Sequence, residues 1–220
     1  MNKKCSQCGL VNFASASSCV RCRSVLGYEN PAPFEKPSIA RRLLVRSGAV
    51  MITCILIIIG FYISLIVSAA RLSRDQKATV NRAIGILREK GFGTEATLLS
   101  SITAFRASDN WLNASVAKEN AYAATNFPFE IMTLYSDFFT YPTDDVEKAA
   151  ILLHEARHLI GQGEKDAYAF VWKNRDRLGW TRQNYGNSPI WLNVRQQTLE
   201  LVPDIFICPQ NRASDCTENE

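Results

Sequence analysis

Residues 48 to 70, GAVMITCILIIIGFYISLIVSAA, are 23 consecutive positions without a charge. A helix rises about 1.5 Å per residue, so a stretch this long crosses a hydrocarbon core of about 30 Å. Arg41, Arg42 and Arg46 precede it, and Arg71 and Arg74 follow it. Buried helices of water-soluble domains are usually shorter and keep a polar face, so the run predicts a single transmembrane helix. The residues ahead of it are too many for a secretory leader and the run exceeds an h-region, although VSA near its end reads like a cleavage site. The chain is thereby cut into a short N-terminal part and a domain over residues 71–220.

Charge follows the same division. Residues 1–47 hold eight Lys/Arg against two Glu, whereas residues 48–220 hold seventeen against nineteen acids. The basic excess is local, so the overall charge does not argue for a nucleic-acid partner. Residues 39–47 suit the headgroups of anionic membrane lipid. Long domains translocate whatever their charge, so the short basic segment carries the weight. It predicts a cytoplasmic N-terminus and an extracytoplasmic C-terminal domain.

The seven cysteines sort by region. Cys5, Cys8, Cys19 and Cys22 stand in CSQCGLVNFASASSCVRC, a C-x2-C-x10-C-x2-C spacing. Two thiolate pairs on tight turns can meet at one tetrahedral zinc, and Gly9 follows the first pair where a turn needs a small residue. Residues 1–26 are too short and polar to hold a core, so the metal is expected to supply their folding energy. The segment resembles the small four-cysteine zinc ribbons at the N-terminus of membrane-anchored proteins. It is also similar to the Ran-binding-protein-type zinc finger, with Asn12 at that finger's Asn position. Lys3 and Lys4 stand where that finger carries Trp, so zinc binding alone is carried over, with a protein partner at the ribbon left open. Cys54 lies inside the apolar run and reads as inert. Cys208 and Cys216 could close a short disulfide loop in an oxidising compartment.

GYENPAPFEKPS, residues 27–38, has three prolines and reads as a stiff linker. Beyond the span, LSRDQKATVNRAIGILREKG places Val80, Ile84 and Leu87 on one helical stripe that stops at Gly91. A second helix is expected from Glu95 to about Phe105. The aromatic and β-branched stretch ENAYAATNFPFEIMTLYSDFFTY predicts one or two strands, one of them over Ile131 to Tyr135. Asp144 and Glu147 have the spacing of a capping box, opening a helix that runs through VEKAAILLHEARHLI to Gly161. Another helix should start near Glu164 and carry Ala167, Phe170, Val171 and Asn174 before Gly179. Ser188 caps a last helix with Pro189 in its first turn. No internal repeat is evident, and Trp172, Trp180 and Trp191 read as core aromatics.

The chain's two histidines stand together in HEARHLIGQGEKDAYAF, residues 154–170. Four residues make just over one helical turn, so His154 and His158 share a face and can grip one metal. Glu155 is turned about 100° away, within reach of a metal-activated water as general base rather than as a ligand. A catalytic zinc wants three protein ligands and an open position. With no third histidine the last ligand comes from Asp, Glu, Cys or Tyr. Glu164, beyond the break at Gly161-Gln162-Gly163, is nearest, and Asp166 is the reserve or an outer partner of a histidine. A ferritin-like di-iron site needs a second Glu-x-x-His, which the chain lacks.

HExxH followed by a Glu heading E-x-[DE]-A-x-x-F resembles the gluzincin branch of the zincin metallopeptidases. That resemblance implies His154, His158 and Glu164 as zinc ligands and Glu155 as general base. The six-residue step from His158 to Glu164 is shorter than in most of that group. It echoes the metzincin spacing, with Glu164 in place of the third histidine and no Met-turn in residues 133–220. An oxyanion stabiliser is sought among Tyr168, Tyr185 and Arg157. The expectation is an α+β, mostly helical, zincin-like domain after a single transmembrane helix, preceded by a small zinc ribbon. It would be a membrane-anchored metallopeptidase with one catalytic and one structural zinc, acting on peptide or protein. The rival is a membrane-tethered adaptor whose zinc sites are structural and whose outer domain binds a protein partner.

Overall fold

A computed structural model describes residues 2–27, 38–115 and 122–207. The pair Cys208 and Cys216 lies outside the described residues. The chain divides into two units, Met1–Cys54 and Ile55–Glu220.

The first unit opens with two short antiparallel strands, β1 (Lys3–Lys4) and β2 (Val11–Asn12). Its only described core is Cys5, Cys19 and Leu26, with Cys8, Leu10 and Ala16 packed around them. So few apolar side chains cannot repay the ordering of a segment this long. Helix α1 (Ile39–Ser68) begins in this unit. It is about 45 Å long, has a mean hydropathy of 2.9 in its most apolar window, and is long and apolar enough to cross a membrane. Arg41, Arg42 and Arg46 belong to its first turns, so the basic stretch and the apolar run are one helix.

The second unit is mixed α+β and mostly helical. Helix α2 (Arg74–Glu89) starts with a complete capping box between Ser73 and Gln76 and buries Val80, Ala83, Ile84 and Leu87. Gly91, at φ +83°, then turns the chain into α3 (Gly93–Ser101). The helix expected as far as Phe105 stops short: Phe105 lies on strand β3 (Ala104–Arg106), paired with residues near 131. A parallel pairing at that separation leaves no local pattern to read. Strands β4 (Ala123–Asn126) and β5 (Ile131–Leu134) complete a sheet of order β3-β5-β4, with β3 parallel and β4 antiparallel to β5. The strand expected from Ile131 is therefore central, and β4 is the outer strand beside the site.

After the short α4 (Ser136–Thr140) comes α5 (Asp145–His158), the central helix, in contact with α2, α3 and β4. The expected capping box is half present. Asp144 accepts from the amides of Val146 and Glu147, but Glu147 turns instead to the amide and hydroxyl of Thr143 at 2.8 and 3.0 Å. Helix α6 (Glu164–Lys173) starts where expected but ends at Asn174, whose side-chain amide donates to the Phe170 carbonyl at 2.8 Å. Two short helices follow, α7 (Arg175–Leu178) and α8 (Arg182–Tyr185), before α9 (Pro189–Leu201), capped by Ser188 as expected. The three tryptophans converge there, with Trp191 centred 5.0 Å from Trp172 and 4.9 Å from Trp180. They lock α6 and α9 together beneath the site.

Candidate metal centres

The four N-terminal sulfurs lie within 4.8 Å of one another, with Cys5–Cys22 and Cys8–Cys19 both at 3.5 Å. Sulfurs about 2.3 Å from one zinc stand roughly 3.8 Å apart, so the cluster has the size of a tetrahedral site. The two halves repeat each other at an offset of fourteen residues. Cys5 N donates to Leu10 O and Cys19 N to Ser24 O, both at 2.8 Å. Gly9 and Arg23 occupy matching left-handed positions at φ +73° and +56°. The pairing of Lys4 with Val11 recurs as that of Ser18 with Val25. This repeat was not seen in the sequence, where only the C-x2-C pairs mark it. Asn12, 4% exposed, ties the halves together. Its amide donates to Leu10 O at 3.0 Å and points at Cys19 Sγ at 3.6 Å, while its carbonyl accepts from Val20 N at 3.2 Å. Hydrogen bonds from Ser24 and from the backbone at Cys8 and Gln7 pull the Cys5 thiol down to about 6. Those from the backbone at Cys22 and Arg21 lower Cys19. Cys8 goes the other way: against a backbone hydrogen bond at Leu10, burial and the neighbouring sulfurs of Cys19, Cys22 and Cys5 push it up to about 12. The lowered thiols, Cys5 and Cys19, are the ones readied to ligate a soft cation. These four cysteines are within metal-binding distance of one another and suggest a structural zinc site.

The second centre is built at the junction of α5 and α6. The apolar run Ala149–Leu153 buries α5, so His154 and His158 emerge one turn apart at its C-terminal end. The chain then reverses at Gly161, at φ +78°, whose amide bonds His158 O at 2.9 Å. Residue 164 begins the next helix directly opposite. His154 Nε2 lies 3.1 Å from Glu164 Oε2 and 3.1 Å from His158 Nε2, and His158 Nε2 lies 3.3 Å from Glu164 Oε1. Nitrogen and oxygen ligands about 2.0–2.1 Å from one tetrahedral ion stand roughly 3.3 Å apart. The three residues therefore fit a zinc-sized ion. His158 Nδ1 donates to Gln162 O at 2.8 Å, which leaves the Nε2 lone pair facing the cluster.

Electrostatics agree with the distances. The Glu164 hydrogen bond raises His158 to about 9 although burial opposes it. Hydrogen bonds from His154 and His158 hold the Glu164 carboxyl well below the usual carboxylate range. A cluster that holds a proton this firmly is suited to a small cation.

Glu155 is buried beside the trio, and its Oε2 accepts from the Thr125 hydroxyl at 2.7 Å. Thr125 is on β4, so the outer strand fixes this carboxylate. Nothing in the local sequence marks Thr125. Two clefts meet at the trio. One, of about 540 Å³, is walled by Tyr122, Tyr168, Val194 and Gln197 with His154, Glu155 and Glu164. The other, of about 410 Å³, runs between Ala123–Thr125, Phe127 and Gly161, with Glu155, His158 and Glu164 in its wall.

The remaining candidates separate. Tyr168 packs edge-on against His154 at 4.3 Å, and burial pushes its phenol up to about 12. Tyr185 is elsewhere: its hydroxyl donates to Asp144 Oδ2 at 2.6 Å, at the opposite end of α5 and about 15 Å along that helix from His154. Asp166 is exposed in the first turn of α6 and outside the trio. Arg157 bonds Glu95 and Gln162 at 2.9 and 2.8 Å and stacks on Phe170, which makes it a brace of the α5–α6 turn. Comparison with models of known families, with curated proteins and with solved structures finds no match.

Proposed function

We propose that the chain is a membrane-anchored zinc metallopeptidase of zincin type, its outer domain carried on α1 and its N-terminal ribbon cytoplasmic. The reading rests on one observation above all: two imidazoles and a carboxylate converge within coordination distance while Glu155 lines the same clefts. His154, His158 and Glu164 would hold the ion. A zinc ion in such a site acts as a Lewis acid and brings the pKa of a bound water near 7. Glu155 takes the proton of the attacking water and returns it to the leaving amine. The Thr125 hydroxyl orients Glu155 by occupying one of its oxygens. Tyr168, neutral at physiological pH, has an O–H to offer a developing oxyanion. Strand β4 is an outer strand along the cleft, and extended peptides add to such edges by main-chain hydrogen bonds.

The test uses the full chain purified in detergent. Zinc content and cleavage of a broad peptide library are measured for wild type and Glu155→Gln. The variant should keep its zinc and lose hydrolysis by about 100-fold or more. Zinc-loaded wild type without Glu155-dependent cleavage ends the peptidase reading and leaves the adaptor. A reporter fused after Glu220 checks the orientation.

A further inference from the structure

We propose that the face of the outer domain carrying Trp111, Leu112 and Phe127 is seated in the interfacial zone of the lipid bilayer. It rests on α1 crossing a membrane and does not need the peptidase reading.

The last turns of α1 are covered by the domain that follows them. Leu65 is fully buried, and Phe61 packs against Trp111 and Phe129 with ring centres 5.5 and 5.3 Å away. Trp111 donates its indole N–H to Ser64 Oγ at 3.2 Å and its backbone N–H to Ser68 Oγ at 3.3 Å. Arg106 Nε donates to the Ile66 carbonyl at 3.1 Å.

Helix length then fixes the depth. About 20 residues span the hydrocarbon. If the span ended at Phe61, so that every covered turn stood clear of the membrane, it would have to reach back to Arg42. Arg46 would then lie in the hydrocarbon, where a charged side chain is costly and rare. A span ending at Ser68 reaches back only to Ala49 and leaves all three N-terminal arginines outside. The side chains that cover Phe61 to Ser68 therefore lie at membrane level. Arg71 and Arg106, bridged to each other near the helix end, mark the headgroups, and Trp111 reaches one to two turns deeper.

The surface chemistry is that of an interface. Trp111 is 50% exposed, Leu112 37% and Phe127 59%, and tryptophan is enriched at the headgroup level of membrane proteins. Phe127 and Phe129 belong to one turn between β4 and β5: Phe129 touches α1, and Phe127 walls the cleft beside His158 and Glu164. That seat brings the cleft mouth to the membrane surface.

Trp172, Trp180 and Trp191 are at most 1% exposed, so Trp111 is the tryptophan open to a quencher. The full chain is reconstituted in phosphatidylcholine vesicles, with or without bromine at acyl positions 6 and 7, and tryptophan emission is read. Bromolipid should quench a component that Trp111→Phe removes, while aqueous acrylamide quenches it little. Phe127→Trp, made alone, should add a second bromolipid-quenched component. If wild type and Trp111→Phe are quenched equally, or acrylamide alone quenches Trp111, the seat is wrong. Neither zinc content nor hydrolysis enters the readout.

Discussion

His158 and Glu164 pull each other's titration in opposite directions, and this gives the zinc-stripped protein a pH signature. His158 rises from 6.5 to about 9, so its contribution to stability is complete below pH 6.5 and fades as pH rises through 9. Glu164 falls from 4.5, so its contribution is complete above that value and is lost in acid. Melting of the zinc-stripped chain should therefore be highest near pH 5–6 and decline toward pH 9, and Glu164→Gln should flatten the decline. An unchanged slope in that variant would remove the pair as its cause. A zinc ion bound at the trio would invert the trend, because it would have to displace the His158 proton and so would bind more strongly as pH rises. A different carboxylate holds the framework. Glu147 is fully buried and accepts from the Trp180 indole and the Ser188 hydroxyl besides Thr143. Glu147→Leu strands the two buried donors, on Trp180 and Ser188, at about 1–3 kcal/mol each. It should lower the melting temperature far more than Glu89→Leu at the exposed end of α2, without changing zinc content at low temperature.

At the scale of elements, the α5–α6 turn decides whether two helices make a site. Gly161 adopts φ +78°, a conformation that costs an L-residue roughly 1–2 kcal/mol. A Cβ there would only touch Phe127, at 3.6 Å, so backbone strain dominates. Gly161→Ala should weaken zinc binding by rotating Glu164 away, with little loss of helix by circular dichroism; unaltered zinc affinity would show that the turn is not the constraint. This turn was legible in the sequence because all its determinants are local. The i, i+4 spacing aims the histidines, glycine breaks the helix, and a carboxylate opens the next one. Strand β3 and the Thr125–Glu155 bond were not legible, since each depends on partners about 30 residues away. Tyr185 failed for the same reason: its partner Asp144 stands 41 residues earlier and at the wrong end of α5.

Across the molecule, the two centres differ in what surrounds them. The N-terminal segment has three buried apolar residues, two of them cysteines of the candidate metal cluster. The C-terminal domain holds its trio at the edge of a core that includes Phe138, Leu152, Trp172, Trp180 and Trp191. A strong chelator should therefore abolish the dispersed amide signals of residues 2–27 while those of the C-terminal domain persist. Simultaneous loss of both would mean that the second ion also carries the fold.

The trio is contained in eleven consecutive residues, His154 to Glu164. Closing so small a ring removes little freedom from the unfolded chain. An ion there would gain its hold from a scaffold already in place, so it could leave and return without the domain being remade. An ion at the four cysteines would have no such liberty: those cysteines span eighteen residues that have almost nothing else to gather around. If both sites take zinc, one metal is exchangeable equipment and the other is part of the masonry, and a fall in available zinc would empty the site between α5 and α6 while its own domain stays folded.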